Sequence, residues 1–222
     1  HNPVGRVWRE DELRKVVDIA KKYDKWIISD EIHADLTRIG VTHTPLLKLA
    51  PDYSDRIIVC TAPSKTFNLA GMQFSNIIIP NKEYQEQWTE VVSNRLSVGM
   101  CSPFGLTAII AAYTEGEEWL DQARAYIDGN IRYIEEFVKE NLPKAVMMDC
   151  QGTYLVWLDC SELGISGKEL DQFIVEKAGL WLDGGAMFGP SGADFQRVNI
   201  ACPRATLELA LDKLKAAVDN LG

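Results

Sequence analysis

Two short apolar runs, Trp26-Ile-Ile-Ser29 and Ile57-Ile-Val-Cys60, govern what this chain can fold into. Neither alternates apolar with polar residues, so each reads as a strand covered on both faces, over about 25–29 and 56–60. A helical pattern precedes the first run. Over residues 10–23 apolar side chains recur at helical spacing, with acids leading and lysines trailing as the helix dipole favours. Residues 45–50 read as a short helix before the second run, and Phe74–Ile79 as a third strand stopped by Pro80-Asn81. Strands alternating with helices predict an α/β fold with a mostly parallel sheet. In such sheets ligands gather at the carboxyl ends of strands. Asp30 follows the first run and Lys65 lies just past the second, so the pattern alone puts a carboxylate and an amine there.

The remainder reads as helices followed by a second, smaller set of strands. Helices are expected over 82–97, from Pro103 to about Tyr113, and from Glu117 to Asn141. Gly129 weakens the last of these by up to about 1 kcal/mol relative to Ala. Strands are expected over 145–149 and 153–158, with Gln151-Gly152 turning between them, and over 180–183 and 195–201. Ser166-Gly-Lys-Glu169 has the spacing of a capping box opening a helix to about Lys177, and Pro203 suits the first turn of a final helix reaching Leu221.

Composition narrows the function classes. A net charge of −9 disfavours nucleic acid and anionic membrane as partners. The five cysteines are odd in number and form no C-x-x-C pair, which argues against a disulfide framework or zinc site and fits a reducing, cytoplasmic setting. His1, His33 and His43 show no metal-ligand spacing on one helix, so no metal is expected. No apolar stretch approaches membrane-spanning length.

Four motifs carry chemistry: His1-Asn-Pro-Val-Gly5, Ser29-Asp-Glu-Ile-His33, Ala62-Pro-Ser-Lys-Thr-Phe-Asn-Leu-Ala-Gly71 and Phe195-Gln-Arg-Val-Asn-Ile-Ala-Cys-Pro-Arg204. An amine, a carboxylate and an amide, each at the end of a predicted element, are the groups that hold and use pyridoxal phosphate. In this order the motifs resemble the class I/II (fold-type I) aminotransferase family, and within it the cystathionine β-lyase branch of MalY/PatB-type C–S lyases. The resemblance implies the aspartate aminotransferase-like fold. Residues 1–100 then form the C-terminal part of the large cofactor-binding domain, and residues 101–222 a small C-terminal α+β domain. The chain lacks an initiating Met and its first residue already lies inside a motif, so it is expected to be the C-terminal portion of a longer enzyme. Alone, that portion is expected to bind pyridoxal phosphate weakly and to be inactive. Intact, the enzyme is expected to be a homodimer.

The resemblance also assigns roles. Lys65 becomes the Schiff-base lysine and general base, Asp30 the partner of the pyridine nitrogen, and Asn2 a donor to the ring hydroxyl oxygen. His33 stands where many relatives place a tyrosine on the same hydroxyl. Thr61 and Ser64 are candidates for the phosphate, and Arg197 for the α-carboxylate of an amino-acid substrate, with Arg204 a weaker alternative. Glu31 and Asp35 read as surface acids or as support for their neighbours, and Trp181, Tyr154 and Trp157 as packing. Two positions depart from the family. Ala62 stands where a hydroxyl is common, and Gln73 where many relatives carry an arginine for the phosphate. Elimination at a C–S bond is the leading expectation. Transamination of another amino acid and a non-enzymatic regulatory domain are the alternatives.

Overall fold

The computed structural model describes residues 1–99 and 101–221. Residue 100, where the expected domain boundary falls, lies outside them. The chain divides into two compact units, one of Trp8–Thr37 with Thr42–Gln122, the other of His1–Val7, Arg38–Val41 and Ala123–Gly222. Among the described residues no helix is long and apolar enough to cross a membrane.

The first unit begins with helix α1 (Glu10–Lys22). Its acids lie in the first turn and Lys21 and Lys22 in the last, and the Arg9 amide donates to Glu12 Oε2 at 3.0 Å to close the N-terminus. Strand β1 (Ile27–Asp30) follows, then the one-turn helix α2 (Leu46–Leu49) and strand β2 (Ile57–Thr61). β1 and β2 are parallel, in register from Ile27 opposite Ile57 to Asp30 opposite Cys60. Ile57 and Val59 bury one face against Val17, Leu46 and Ala50. Tyr53 donates its hydroxyl toward the Ala20 and Lys25 carbonyls, which fixes the end of α1 against the entry to β1.

The one-turn helix α3 (Pro63–Thr66) leads on to β3 (Asn76–Ile78), which pairs antiparallel with β2. The expectation of a mostly parallel sheet thus gives way to a mixed one, ordered β1-β2-β3. A parallel return needs a crossover of about a dozen residues or more, usually helical. Residues 62–75 between β2 and β3 are long enough but hold only α3 and a short 3₁₀ turn, with no helix to carry a crossover, and the chain doubles back. Helix α4 (Lys82–Thr89) is capped by Asn81, whose Oδ1 accepts from the Tyr84 amide. It widens into a π-helical turn at Glu90–Arg95, where one continuous helix is expected from the sequence. There Arg95 Nε donates to Glu90 Oε1 at 3.2 Å, a pair five residues apart. Helix α5 (Pro103–Glu115) starts on Ser102, whose Oγ accepts from the Gly105 amide.

Helix α6 (Glu117–Asn141) runs unbroken through Gly129. The second unit holds a four-stranded antiparallel sheet ordered β4 (Val146–Met147), β5 (Leu155–Asp159), β7 (Phe195–Asn199) and β6 (Asp183–Gly184). Helices α7 (Gly167–Glu176) and α8 (Arg204–Asp219) complete it. Ile131, Ile134 and Val138 of α6 share one core with Leu170 and Ile174 of α7, Leu207 and Leu211 of α8, and Val156, Leu158 and Val198 of the sheet. Trp157 stacks on Phe195 with ring centres 5.1 Å apart. Two helix starts differ in detail from the sequence reading. Ser166 holds the N-cap of α7 without a side-chain bond, and Pro203 caps α8 from outside its first turn.

One buried amide holds the start of α8. Asn130 is fully buried; its Nδ2 donates to the Ile200 and Cys202 carbonyls at 2.9 and 3.0 Å, and its Oδ1 accepts from Arg204 Nε at 2.9 Å. Arg204 also lies over the Tyr133 ring at 4.5 Å, so it serves the fold rather than standing as a solvated residue. Asn130→Ala is expected to destabilise the fold by about 1–3 kcal/mol for each polar group it strands, read as a lower urea midpoint with an unchanged slope.

Candidate active site

Parallel pairing brings the carboxyl ends of β1 and β2 to one edge of the sheet. Asp30 closes β1 and pairs with Cys60, while α3, carrying Lys65, begins two residues after β2 ends. Asp30 is exposed, and its Oδ1 accepts from the Ile32 amide at 3.1 Å. Burial, with the charge of Asp30 added, pushes the Cys60 thiol up. Lys65 is half-buried, and among the described residues no hydrogen bond or ion pair engages its ammonium.

Two polar contacts fix this edge, and both use acids that the sequence reading left as surface or supporting groups. Glu31 is buried. Its Oε1 accepts from Ser29 Oγ at 2.9 Å and from the Leu46 amide at 3.1 Å, and its Oε2 lies 2.9 Å from His43 Nε2. This clasp ties the segment after β1, including His33, to the start of α2. Burial pushes the Glu31 carboxyl up, but hydrogen bonds from His43, the Leu46 amide and Ser29 outweigh it and leave the group below its ordinary value. The second contact is Thr66 Oγ1 donating to Asp35 Oδ2 at 2.8 Å, with Thr66 buried. It joins the turn after β1 to the turn that carries Lys65.

The remaining candidates of the first unit lie nearby in the chain. The His33 carbonyl accepts from the Leu36 amide at 3.0 Å. Thr61 Oγ1 accepts from Asn76 Nδ2 at 3.3 Å, and the Ser64 carbonyl accepts from the Leu69 amide at 3.1 Å. Ala62 is buried, and Gln73 is exposed in a left-handed conformation with φ +50°.

Asn2 and Arg197 meet within the second unit. Gly5 makes this possible. Its φ is +80°, and a Cβ there would lie 3.1 Å from Cys150 Sγ. Its amide donates back to the His1 carbonyl, while its own carbonyl accepts from the Gln151 and Gly152 amides at 2.8 and 2.9 Å. Arg197 Nη1 donates to Asn2 Oδ1 at 2.9 Å. An amide whose oxygen accepts keeps two N–H donors on its nitrogen, and Asn2 is such a group. Arg197 also donates from Nε and Nη2 to Asp183 Oδ2, at 3.1 and 2.6 Å, and its guanidinium lies 4.8 Å from the Phe188 ring. Asp183 ends a strand expected over 180–183, but its pairing across from Arg197 depends on the register of β6 with β7, which the residues of that strand do not carry. Trp181 departs from the packing role expected of it: it is 90% exposed, whereas Trp157 is buried.

A family model described as aminotransferase class I and II matches residues 1–214. The chain belongs to the class I and II aminotransferase family. It is 41% identical to cystathionine beta-lyase PatB of Bacillus subtilis (strain 168), over 98% of this chain and 56% of that protein. It is 33% identical to protein MalY of Escherichia coli (strain K12), over 98% of this chain and 55% of that protein. The chain therefore spans about half the length of the curated relatives it matches. Among solved structures, cystalysin from Treponema denticola, which contains a pyridoxal 5'-phosphate cofactor, superposes with a TM-score of 0.96 at 40% identity, covering 100% of this chain and 56% of that one. The PLP-bound C–S lyase from Staphylococcus hominis gives 0.91 at 39%, covering 99% and 57%. The fold of this family is accordingly the fold of this chain.

A carboxyl with a lowered folded-state pKa stabilises fully above its ordinary range, and that contribution fades as the pH falls through the lowered value. Glu31→Gln is expected to cost about 1–3 kcal/mol near neutral pH, with the gap to the parent narrowing below about pH 4, in urea titrations run at each pH.

Proposed function

We propose that this chain carries the lysine and the arginine of a pyridoxal phosphate-dependent C–S lyase. The reaction is α,β-elimination from cystathionine and related cysteine-type amino acids, giving a thiol, pyruvate and ammonia. The single observation behind this reading is the parallel pairing of β1 with β2, which ends β1 on Asp30 beside the strand that leads into the helix carrying Lys65. The names of the relatives point to the same bond.

The groups present fit the cofactor: a primary amine that no hydrogen bond or ion pair engages among the described residues, an exposed carboxylate at the end of β1, and an amide nitrogen with donors beyond its bonded oxygen. When bound, pyridoxal phosphate supplies an aldehyde that condenses with amines and a pyridinium ring that accepts the electron pair from Cα. Lys65 Nζ is the amine that holds it. Once its amine is free, Lys65 would take the Cα proton of the substrate as general base. The Cβ–S bond then breaks and the sulfur leaves with its electron pair as a thiolate, which picks up a proton. The enamine left behind hydrolyses to pyruvate and ammonia.

Asp30 keeps a proton on the ring nitrogen, because an anion beside that atom favours its cationic form. Asn2 and His33 serve the ring hydroxyl, Thr61 and Ser64 the phosphate, and Arg197 the α-carboxylate of the substrate. With Ala62 and Gln73 at two positions where relatives offer phosphate contacts, more of that load falls on other residues of the full-length protein. Residues 1–100 belong in this reading to the large cofactor domain and 101–222 to the small one. The full-length protein acts as a cytoplasmic homodimer.

Transamination is the second reading, favoured by the family match itself, and it shares every step up to loss of the Cα proton. The two separate on full-length enzyme given cystathionine with and without a 2-oxo acid. Elimination yields pyruvate without the acceptor, whereas strict dependence on the acceptor assigns transamination. Lys65→Ala is expected to lower kcat by at least about 10²–10⁴-fold, the usual contribution of a general base. A variant with unchanged kcat removes Lys65 from the mechanism.

A further inference from the structure

Arg197 is held on three sides. Asp183 stands directly opposite it in the antiparallel pairing of β6 with β7, and Nε and Nη2 both donate to one oxygen of Asp183, at 3.1 and 2.6 Å. Nη1 donates to Asn2 Oδ1 at 2.9 Å, and the Phe188 ring lies 4.8 Å from the guanidinium carbon. A guanidinium has five N–H donors in one plane. Three are committed here, which leaves two, and a single carboxylate accepts two parallel N–H donors. The side chain of Arg197 is only 17% exposed, so its orientation is set by these neighbours rather than by solvent.

The strand that carries Asp183 is built to reach Arg197. β6 has two residues, and the second, Gly184, pairs with Gln196. A Cβ on Gly184 would lie 2.3–2.6 Å from the carboxylate of Asp171, which itself accepts from the buried Gln196 at 2.7 Å. A larger residue there would have to displace either the Asp171 carboxylate, with its bond from Gln196, or the short strand that carries Asp183. The sequence thus supplies a glycine where the strand must close and an acid where the arginine must be turned.

We propose that Asp183 is the positioning residue for Arg197, fixing the guanidinium so that its two remaining donors present one bidentate site for the α-carboxylate of the substrate. This rests on the reading of Arg197 as the carboxylate clamp and adds to it the group that aims the clamp. Asp183 touches no reacting atom. It acts by removing rotamers of Arg197 that would otherwise have to be frozen when substrate arrives.

The test uses full-length, cofactor-loaded enzyme and two competitive inhibitors without a leaving group at Cβ, L-norvaline and butylamine, which differ only by the carboxylate. The quantity read is the ratio of their inhibition constants. In Asp183→Ala the constant for norvaline is expected to rise about tenfold while that for butylamine stays the same, so the ratio collapses. Asp183→Asn, which keeps an acceptor for Nε, is expected to fall between Ala and the parent, and serves alone where the alanine variant does not fold. A merely structural role would move both constants together, and that result overturns the proposal. Arg197→Ala separates the two layers of the argument. If it leaves the ratio unchanged, the clamp reading itself fails; if it collapses the ratio while both Asp183 variants keep it, only the role of Asp183 is lost.

Discussion

The parallel pairing of β1 with β2 is the interaction on which the proposed chemistry depends. Four register pairs, from Ile27–Ile57 to Asp30–Cys60, make the two strands end together. Ile57 and Val59 pack one face of β2 against Val17, Leu46 and Ala50, which anchors the strand to the core of this unit. Where the strands end, apolar residues give way to Asp30 on one and to the Lys65 turn on the other. The hydrogen bond from Thr66 to Asp35 and the clasp around Glu31 then hold those turns. Backbone pairing and core packing thereby bring the end of the strand carrying Asp30 and the turn carrying Lys65 to one edge, and among the described residues no ion pair engages Lys65.

The second unit solves a different problem, the aiming of a cation. Antiparallel pairing puts Asp183 across from Arg197, Gly184 lets the short strand approach, and the turn at Gly5 brings Asn2 within reach. Each of these devices is local and polar. Each stands on a core in which α6, α7 and α8 cover one face of the sheet.

Much of this was legible in the sequence, for identifiable reasons. β1 and β2 announce themselves as continuous apolar runs, and α1 and α6 as long periodic patterns with charges suited to their dipoles. Asp30 and Lys65 stand at or just past the strand ends that those patterns locate, whereas Asn2 and Arg197 were singled out by their motifs. The direction of β3 was not legible, because it depends on what the intervening chain can span rather than on the strand's own residues. Nor was the π-helical turn at Glu90–Arg95, which is periodic like any helix in sequence. Asp183, Glu31 and Asp35 look like ordinary surface acids until their partners are known, since each partner is distant in sequence or belongs to another element. Trp181 misled for the opposite reason: a large apolar side chain reads as core, and here it is 90% exposed.

The central claim is that Lys65 is the amine that holds the cofactor. Full-length enzyme loaded with pyridoxal phosphate, reduced with borohydride, digested and analysed by mass spectrometry reads this directly. The account predicts the reduced pyridoxyl phosphate mass on the peptide containing Ala62-Pro-Ser-Lys65-Thr-Phe, and its disappearance in Lys65→Ala. The adduct on a different lysine, with Lys65 unmodified, would contradict it.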